Sequence, residues 1–315
     1  MELIIMLAGA AALDLIFGEP PLPVHPVVWI GKFTGWWAKP GLFGKPFFQF
    51  LSGALLTLLT ISLFTLPVYF GLKYLQELSI IAFIAAGMLI LKTTFSFKEL
   101  LRAAALIKKL LEQDKIEDAR FNLRALVKRD SRKLNKSLII SAASESAAEN
   151  ASDSFVAPLF NFLLLGVPGA VGYRVVNTLD AMIGRHGDYE YLGKFAARLD
   201  DVLNFIPARI TAVLIIITAA LIRQNPLSAL KTMLSDHGKT ESPNAGWPMA
   251  AAAGALKVQF IKINHYKIGQ SDNDMPLSTI ANTLKLVSGT ALLWFAVTLI
   301  LIVMFNQKYV ILPLL

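Results

Sequence analysis

The chain has 315 residues, of which 55% are hydrophobic and 17% charged, with a formal net charge of +8. Soluble domains run at roughly 45–50% apolar and about 25% charged, so this composition excludes an ordinary soluble domain and points to a membrane protein. There is no cysteine, which excludes disulfides and thiolate metal sites.

In chain order, the opening MELIIMLAGAAALDLIFGEP lacks a basic start and carries Asp14 inside its apolar run. It reads as a retained helix and not as a cleaved signal peptide. The next stretch, DLIFGEPPLPVHPVVWIGK, holds Pro20, Pro21, Pro23 and Pro26, which forbid a continuous helix. His25 in this turn-rich segment is a candidate binding residue. Leu55 to Leu72 is uncharged over 18 residues, and Ser79 to Leu91 is a shorter apolar run. Val202 to Ile222 has one Arg near its start, and Leu286 to Phe305 is uncharged for 20 residues. A bilayer core takes about 20 such residues per helix. The expected fold is therefore all-α: a polytopic helical integral membrane protein, one domain over residues 1–315, with broken or re-entrant segments.

Residues 93–137 hold twelve Lys and Arg against six Asp and Glu. This segment reads as a charged amphipathic helical insert, placed in the cytoplasm by the positive-inside tendency. Its basic residues are interleaved with acids, which weighs against a nucleic-acid partner. A second polar region, read as loop, covers residues 223–285.

Four stretches could carry chemistry. In SESAAENASD, Glu145, Glu149 and Asp153 recur every four residues, which on a helix makes one acidic face. No Lys or Arg falls between Lys136 and Arg174, so a divalent cation or a cationic partner is expected to balance it. Asn150 adds an oxygen ligand or a donor. In GYRVVNTLDAMIGR, Asn177 and Asp180 share a helical face with Tyr173 and Arg174 one turn earlier. Ionisable groups among such apolar flanks are costly and usually functional. In ARLDDVLNFIPAR, Asp200, Asp201 and Asn204 fall within one turn, framed by Arg198 and Arg209. Arg suits bidentate phosphate recognition. In HGKTESPNAGWPMAAAAGAL, a phosphate-loop reading of GKT fails because Met233 stands where the pattern needs Gly. His237 and Lys239 remain candidate phosphate contacts, and Ser242, Asn244 and Trp247 sit on a Pro- and Gly-punctuated loop. His186 and His265 read as structural.

Taken together, LDLIFGEPPLPVHPVVWIGK, ESAAENASDSFVAPLF, YRVVNTLDAMIG, AARLDDVLNFIPARITA and SPNAGWPMAAAAGAL resemble the adenosylcobinamide-phosphate synthases of cobalamin biosynthesis, the CobD/CbiB family. The likeness runs in order from about Leu13 to Leu256, and nothing is carried onto the chain after Asn264. Ser146 and Ala147 stand where the family usually has Thr and Val; the carboxylates are intact.

The resemblance implies a multi-pass enzyme of a prokaryotic cell membrane with its active site facing the cytoplasm. It would join the propionate carboxyl of adenosylcobyric acid to aminopropanol phosphate or a related amino-alcohol, using ATP as co-substrate and Mg²⁺. On that reading Glu145, Glu149 and Asp153 hold Mg²⁺, with help from Asp180 or Asp201. Arg174, Arg198, His237 and Lys239 meet phosphates, and Asn150, Asn177 and Asn244 orient the carboxylate and amine. His25, Tyr173, Asp200, Asn204, Arg209, Ser242 and Trp247 line the substrate site. The partners implied are the corrinoid, the amino-alcohol phosphate, the lipid bilayer and other membrane enzymes of the corrin pathway. The competing expectation is a non-enzymatic sensor or corrinoid-binding or transport protein, related to the membrane protein of β-lactamase induction.

Overall fold

The computed structural model describes residues 1–127, 129–184, 187–270 and 275–305. It is 78% helical. In chain order the helices are α1 (Glu2–Phe17), α2 (Pro26–Trp37), α3 (Pro46–Leu78), α4 (Ile80–Lys92), α5 (Phe97–Glu112), α6 (Ile116–Leu123), α7 (Lys136–Ala151), α8 (Ala157–Ile183), α9 (Lys194–Leu221), α10 (Pro226–Asp236), α11 (Gly246–Leu256) and α12 (Ser278–Met304). A π-helical turn, Ser152–Val156, joins α7 to α8. Among the described residues the sheet is one antiparallel hairpin, β1 (Phe260–Lys262) with β2 (Tyr266–Ile268), Ile261 opposite Lys267.

Among the described residues, five segments are long and apolar enough to cross a membrane: Pro46–Leu78, Ile80–Glu112, Lys136–Ile183, Lys194–Leu221 and Ser278–Met304. This is a multi-pass membrane protein. Burial orders the spans: 17% of the most apolar window of α3 is buried, against 61% in Lys136–Ile183. So α3 offers most of its surface to lipid, while the segment Lys136–Ile183 is largely enclosed by protein.

The chain forms two compact units. The first comprises Met1–Ser96, Ala157–Leu203 and Thr298–Leu315; the second comprises Phe97–Val156 and Asn204–Val297. In the first, α1 packs on α4, α3 on α4 and α8, and α2 on α8. Lipid is as apolar as a side chain, so such contacts depend on close approach at small residues. A Cβ on Gly53 of α3 would lie 1.9 Å from the Leu192 carbonyl oxygen. The break expected in the segment holding Pro158, Gly166, Pro168 and Gly169 is a kink in α8: Gly166 has φ 66° and ψ −160°, which only glycine adopts readily.

In the second unit α7 is central. Asn135 caps it by accepting from the Leu138 N–H at 2.9 Å, and it packs on α5, α6, α11 and β1. Its small side chains, Ser141 to Ala148, are all buried. The amphipathic α5 turns Leu100, Ala104, Ile107 and Leu111 inward and its charges outward. The stretch expected as loop, residues 223–285, contains α10, α11 and the hairpin. Gly254 brings α11 against α10, since a Cβ there would lie 2.5 Å from the Ser228 carbonyl oxygen.

Candidate functional site

The acidic face of α7 has a protein counter-ion. Arg129, in the turn between α6 and α7, donates from Nη2 to Glu145 Oε1 and from Nη1 to the Ile261 carbonyl oxygen at 3.3 Å. The Lys136 to Arg174 gap in the sequence hides this counter-charge, which comes from the turn before α7. Glu145 is 4% exposed. Glu149 lies one turn on and half-buried. Tyr266 of β2 completes the group: burial pushes its phenol well up, and the charges of Glu145 and Glu149 push it the same way, so it stays protonated. Its hydroxyl is turned to Met249 Sδ at 4.0 Å and lies alongside the Glu145 carboxyl without a regular hydrogen bond to Oε2. The hairpin is fastened to α7 by the Ile261 N–H donating to Ser141 Oγ at 2.7 Å. Asn150 donates back to the Ser146 carbonyl oxygen at 2.9 Å, and Ser146 Oγ donates to the Leu126 carbonyl oxygen at 2.7 Å. Asp153 lies in the π turn, where the wider pitch turns it off the strict four-residue line of Glu145 and Glu149.

A second group in this unit gathers the candidates of α9, α10 and the loop before α11. The Arg209 guanidinium carbon lies 3.6 Å from the Phe205 ring centre and 4.6 Å from the Trp247 ring. Arg209 Nη1 donates to Asn244 Oδ1 at 3.0 Å, so stacking and hydrogen bonding both fix its orientation. Trp247 in turn stacks on His237, with centroids 4.1 Å apart. His237 Nδ1 donates to the Met233 carbonyl oxygen at 2.9 Å; in the neutral ring this leaves Nε2 as the proton acceptor. Lys239 pairs with Asp236 at 2.8 Å, and Asp236 also accepts from the Gly269 N–H at 2.7 Å. Burial raises the Asp236 carboxyl, but the bonds from Lys239, Gly269 and Ser235 outweigh it and hold it below the usual range. Ser242 Oγ accepts from the Asn244 N–H at 3.2 Å. Asn204 is buried on α9.

The remaining candidates belong to the first unit. Arg174 Nη1 donates to Asn177 Oδ1 and Asn177 Nδ2 to Asp200 Oδ1, each at 3.4 Å. Tyr173 is buried, while Arg198 is exposed and 3.6 Å from Asp201. The Asp180 carbonyl oxygen accepts from the Gly184 N–H at 2.9 Å. His25 caps α2: its Nδ1 accepts from the Val27 N–H at 3.2 Å, so Nε2 carries the proton and donates to Glu19 Oε2 at 2.6 Å. Glu19 and Asp14 share the buried Lys92 ammonium, at 3.3 and 3.0 Å. Burial raises Glu19, but hydrogen bonds from His25 and Ser96 and the Lys92 charge bring it down to about 2.

Sequence reasoning missed Arg129, Tyr266, Asp14, Glu19, Lys92 and Asp236. Asp14 was legible as an ionisable group inside an apolar helix. Arg129 is hidden among the twelve basic residues of its segment, and Tyr266 lies in the stretch onto which nothing was carried. His265 pairs with Glu241 at 2.9 Å on the surface, and His186 lies outside the described residues.

The carboxylates expected to hold Mg²⁺ divide between the units: Glu145, Glu149 and Asp153 in the second, Asp180 and Asp201 in the first. Among the described residues no three His, Asp or Glu side chains gather to hold an ion. A closed all-protein cage does not fit. An ion carried by nucleotide phosphates needs only one or two carboxylates, and the half-buried Glu149 and Asp153 fit that role.

The family model for the CobD/Cbib protein matches residues 7–287. The cobalamin biosynthesis protein CobD of Dehalococcoides mccartyi is 46% identical over 298 residues, covering 95% of this chain and 97% of that protein. The probable cobalamin biosynthesis proteins CobD of Methanothermobacter thermautotrophicus and Methanocaldococcus jannaschii are 41% and 37% identical, each covering 93% of this chain and 96% of the relative. No solved structure matches. Every candidate residue from His25 to Trp247 falls within the matched span, and the chain belongs to the CobD/CbiB family of cobalamin-biosynthesis proteins.

Proposed function

We propose that the chain is an ATP-dependent carboxylate–amine ligase joining the propionate carboxyl of adenosylcobyric acid to aminopropanol phosphate. The observation that supports it most is the buried Arg129–Glu145 pair with Glu149 and Tyr266 beside it, on the helix bearing the ESAAENASD string, in a chain of this family. A carboxylate does not acylate an amine until its oxygen becomes a leaving group. In the proposed reaction that oxygen attacks the γ-phosphorus of ATP, ADP departs and an acyl phosphate forms. The amine nitrogen then attacks the acyl carbon, inorganic phosphate leaves with the C–O electrons, and nitrogen gives up a proton.

Phosphoryl transfer of this kind is mainly positioning and charge neutralisation, and Mg²⁺ supplies neutralisation when bound with the nucleotide. Glu149 and Asp153 would hold it. Arg209, pinned between Phe205 and Trp247, would grip an anionic oxygen, with Lys239 of the same unit as a further phosphate contact. His237 Nε2 is the proposed acceptor for the amine proton, and Asn150 and Asn244 the orienting amides. The site is proposed to face the cytoplasm, where ATP is available. The test is conversion of adenosylcobyric acid by purified protein with ATP, Mg²⁺ and each candidate amine. Equal amounts of ADP and amide product are expected; corrinoid binding without ATP consumption overturns the reading.

A further inference from the structure

Three of the five tryptophans and three lysines gather where the chain enters α3. Helix α2 has 12 residues. That is about 18 Å against a hydrocarbon core of about 30 Å, so α2 cannot cross a bilayer by itself. It turns Ile30, Thr34 and Trp37 inward, and Trp29, Lys32 and Trp36 outward. Trp36 is 71% exposed, and its ring leans on Phe33, which meets Phe64 of α3 edge to face. The link to α3 continues the pattern, with Lys39, Leu42 and Lys45 exposed. Phe47, in the first turn of α3, is 68% exposed. No residue from Pro46 to Leu72 is charged, so Lys45 marks the end of the run that hydrocarbon can cover. The charge here is of one sign. No Asp or Glu occurs between Glu19 and Glu77, and among the described residues no carboxylate pairs with Lys32, Lys39 or Lys45. The basic segment 93–137 differs, since its cations meet neighbouring acids: Lys108 with Glu112, Arg120 with Glu117, Arg132 with Asp130.

We propose that Lys32, Lys39 and Lys45, with Trp36, Leu42 and Phe47, form a binding surface for an anionic phospholipid. The ammonium groups meet the headgroup phosphate, and the apolar side chains lie against the glycerol and the upper acyl chains. An indole suits that level because its ring is apolar and its N–H is polar. A zwitterionic headgroup carries its own ammonium, which opposes the lysines, so the preference is for a headgroup of net negative charge. Each lysine near an anionic surface strengthens binding by about fivefold. The exposed apolar side chains beside the lysines favour a phosphate attached to hydrocarbon over a free phosphate ion. The inference is independent of the reaction proposed above.

The test counts bound lipid by native mass spectrometry while the full-length protein, in neutral detergent, is titrated with dioleoyl-phosphatidylglycerol or dioleoyl-phosphatidylcholine. The unaltered protein is expected to bind phosphatidylglycerol about tenfold or more tightly than phosphatidylcholine. The triple variant Lys32→Gln/Lys39→Gln/Lys45→Gln should bring the two lipids within about twofold, and each single change should lower the preference by about twofold to fivefold. Trp36→Ala should weaken both lipids alike. Lys257 and Lys267 are exposed lysines of the second unit, and Lys257→Gln/Lys267→Gln should leave the preference unchanged. Equal binding of the two lipids by the unaltered protein overturns the proposal, as does an unchanged preference in the triple variant. Should the triple variant not fold, unchanged preference in all three single variants overturns it instead. Release of bound phosphatidylglycerol by millimolar inorganic phosphate marks a soluble-anion site and overturns the lipid assignment. A loss in Lys257→Gln/Lys267→Gln equal to that of the triple variant marks diffuse charge attraction and overturns the site.

Discussion

Arg129 and Glu145 are 16 residues apart, and no basic residue lies between Lys136, at the start of the helix carrying Glu145, and Arg174. Reading along the chain therefore leaves the acidic face of α7 without a counter-charge, and the tertiary fold provides one from the preceding turn. Glu149, half-buried on the same face, is the carboxylate proposed to hold the metal. Glu149→Gln should lower amide formation by about 100-fold or more, with the thermal unfolding midpoint nearly unchanged. Turnover equal to the unaltered protein at saturating Mg²⁺ removes Glu149 from the site. In the first unit, the Asp14–Lys92–Glu19–His25 network is a buried charge set that a single change unbalances. Lys92→Met should cost about 3–5 kcal/mol, as removal of one partner from a buried pair does. Glu19 has its folded value lowered from 4.5 to about 2, so its contribution is complete above about 4.5 and lost as pH falls toward 2. Unfolding in detergent across that window should fall more steeply for the unaltered protein than for Lys92→Met. Parallel curves would show that Lys92 does not set the Glu19 ionisation.

At the scale of elements, the spans and the breaks in them follow from local chemistry. Apolar runs became α3, α4, α9 and α12 because lipid demands that every backbone group be bonded within the helix. The α8 kink was legible in its Gly and Pro, whereas Pro67 and Pro207 sit within α3 and α9 without ending them. The π turn after Ala151 had no such signal, since no residue type marks a single i→i+5 insertion. Residues 223–285 read as loop because Pro, Gly and polar residues are frequent there, yet α10 and α11 form through close contact at Gly254. Contact of that kind is also testable in α3. Gly53→Val would drive its side chain into the Leu192 carbonyl oxygen, 1.9 Å from where a Cβ must sit. It should destabilise the protein by about 1–3 kcal/mol, read from the unfolding midpoint in detergent. An unchanged midpoint would mean that α3 and the segment before α9 are not held at this distance.

At the scale of the whole molecule, topology is the open expectation with a direct measurement. The basic segment 93–137 is expected in the cytoplasm. With no native cysteine, one introduced at the exposed Arg132 reports alone. A membrane-impermeant maleimide should label Arg132→Cys in inside-out vesicles and not in intact cells; labelling of intact cells reverses the orientation and removes ATP from that face. The sequence by itself determined the membrane class, the approximate spans, the broken segment and the polar strings that mark the family. Each of these depends on composition or on spacing within a few residues. Only the tertiary structure decided which polar groups meet: Arg129 with Glu145, Arg209 with Asn244 across 35 residues, Lys92 with Glu19 across 73. Helix packing sets those meetings, and separation along the chain carries no information about them.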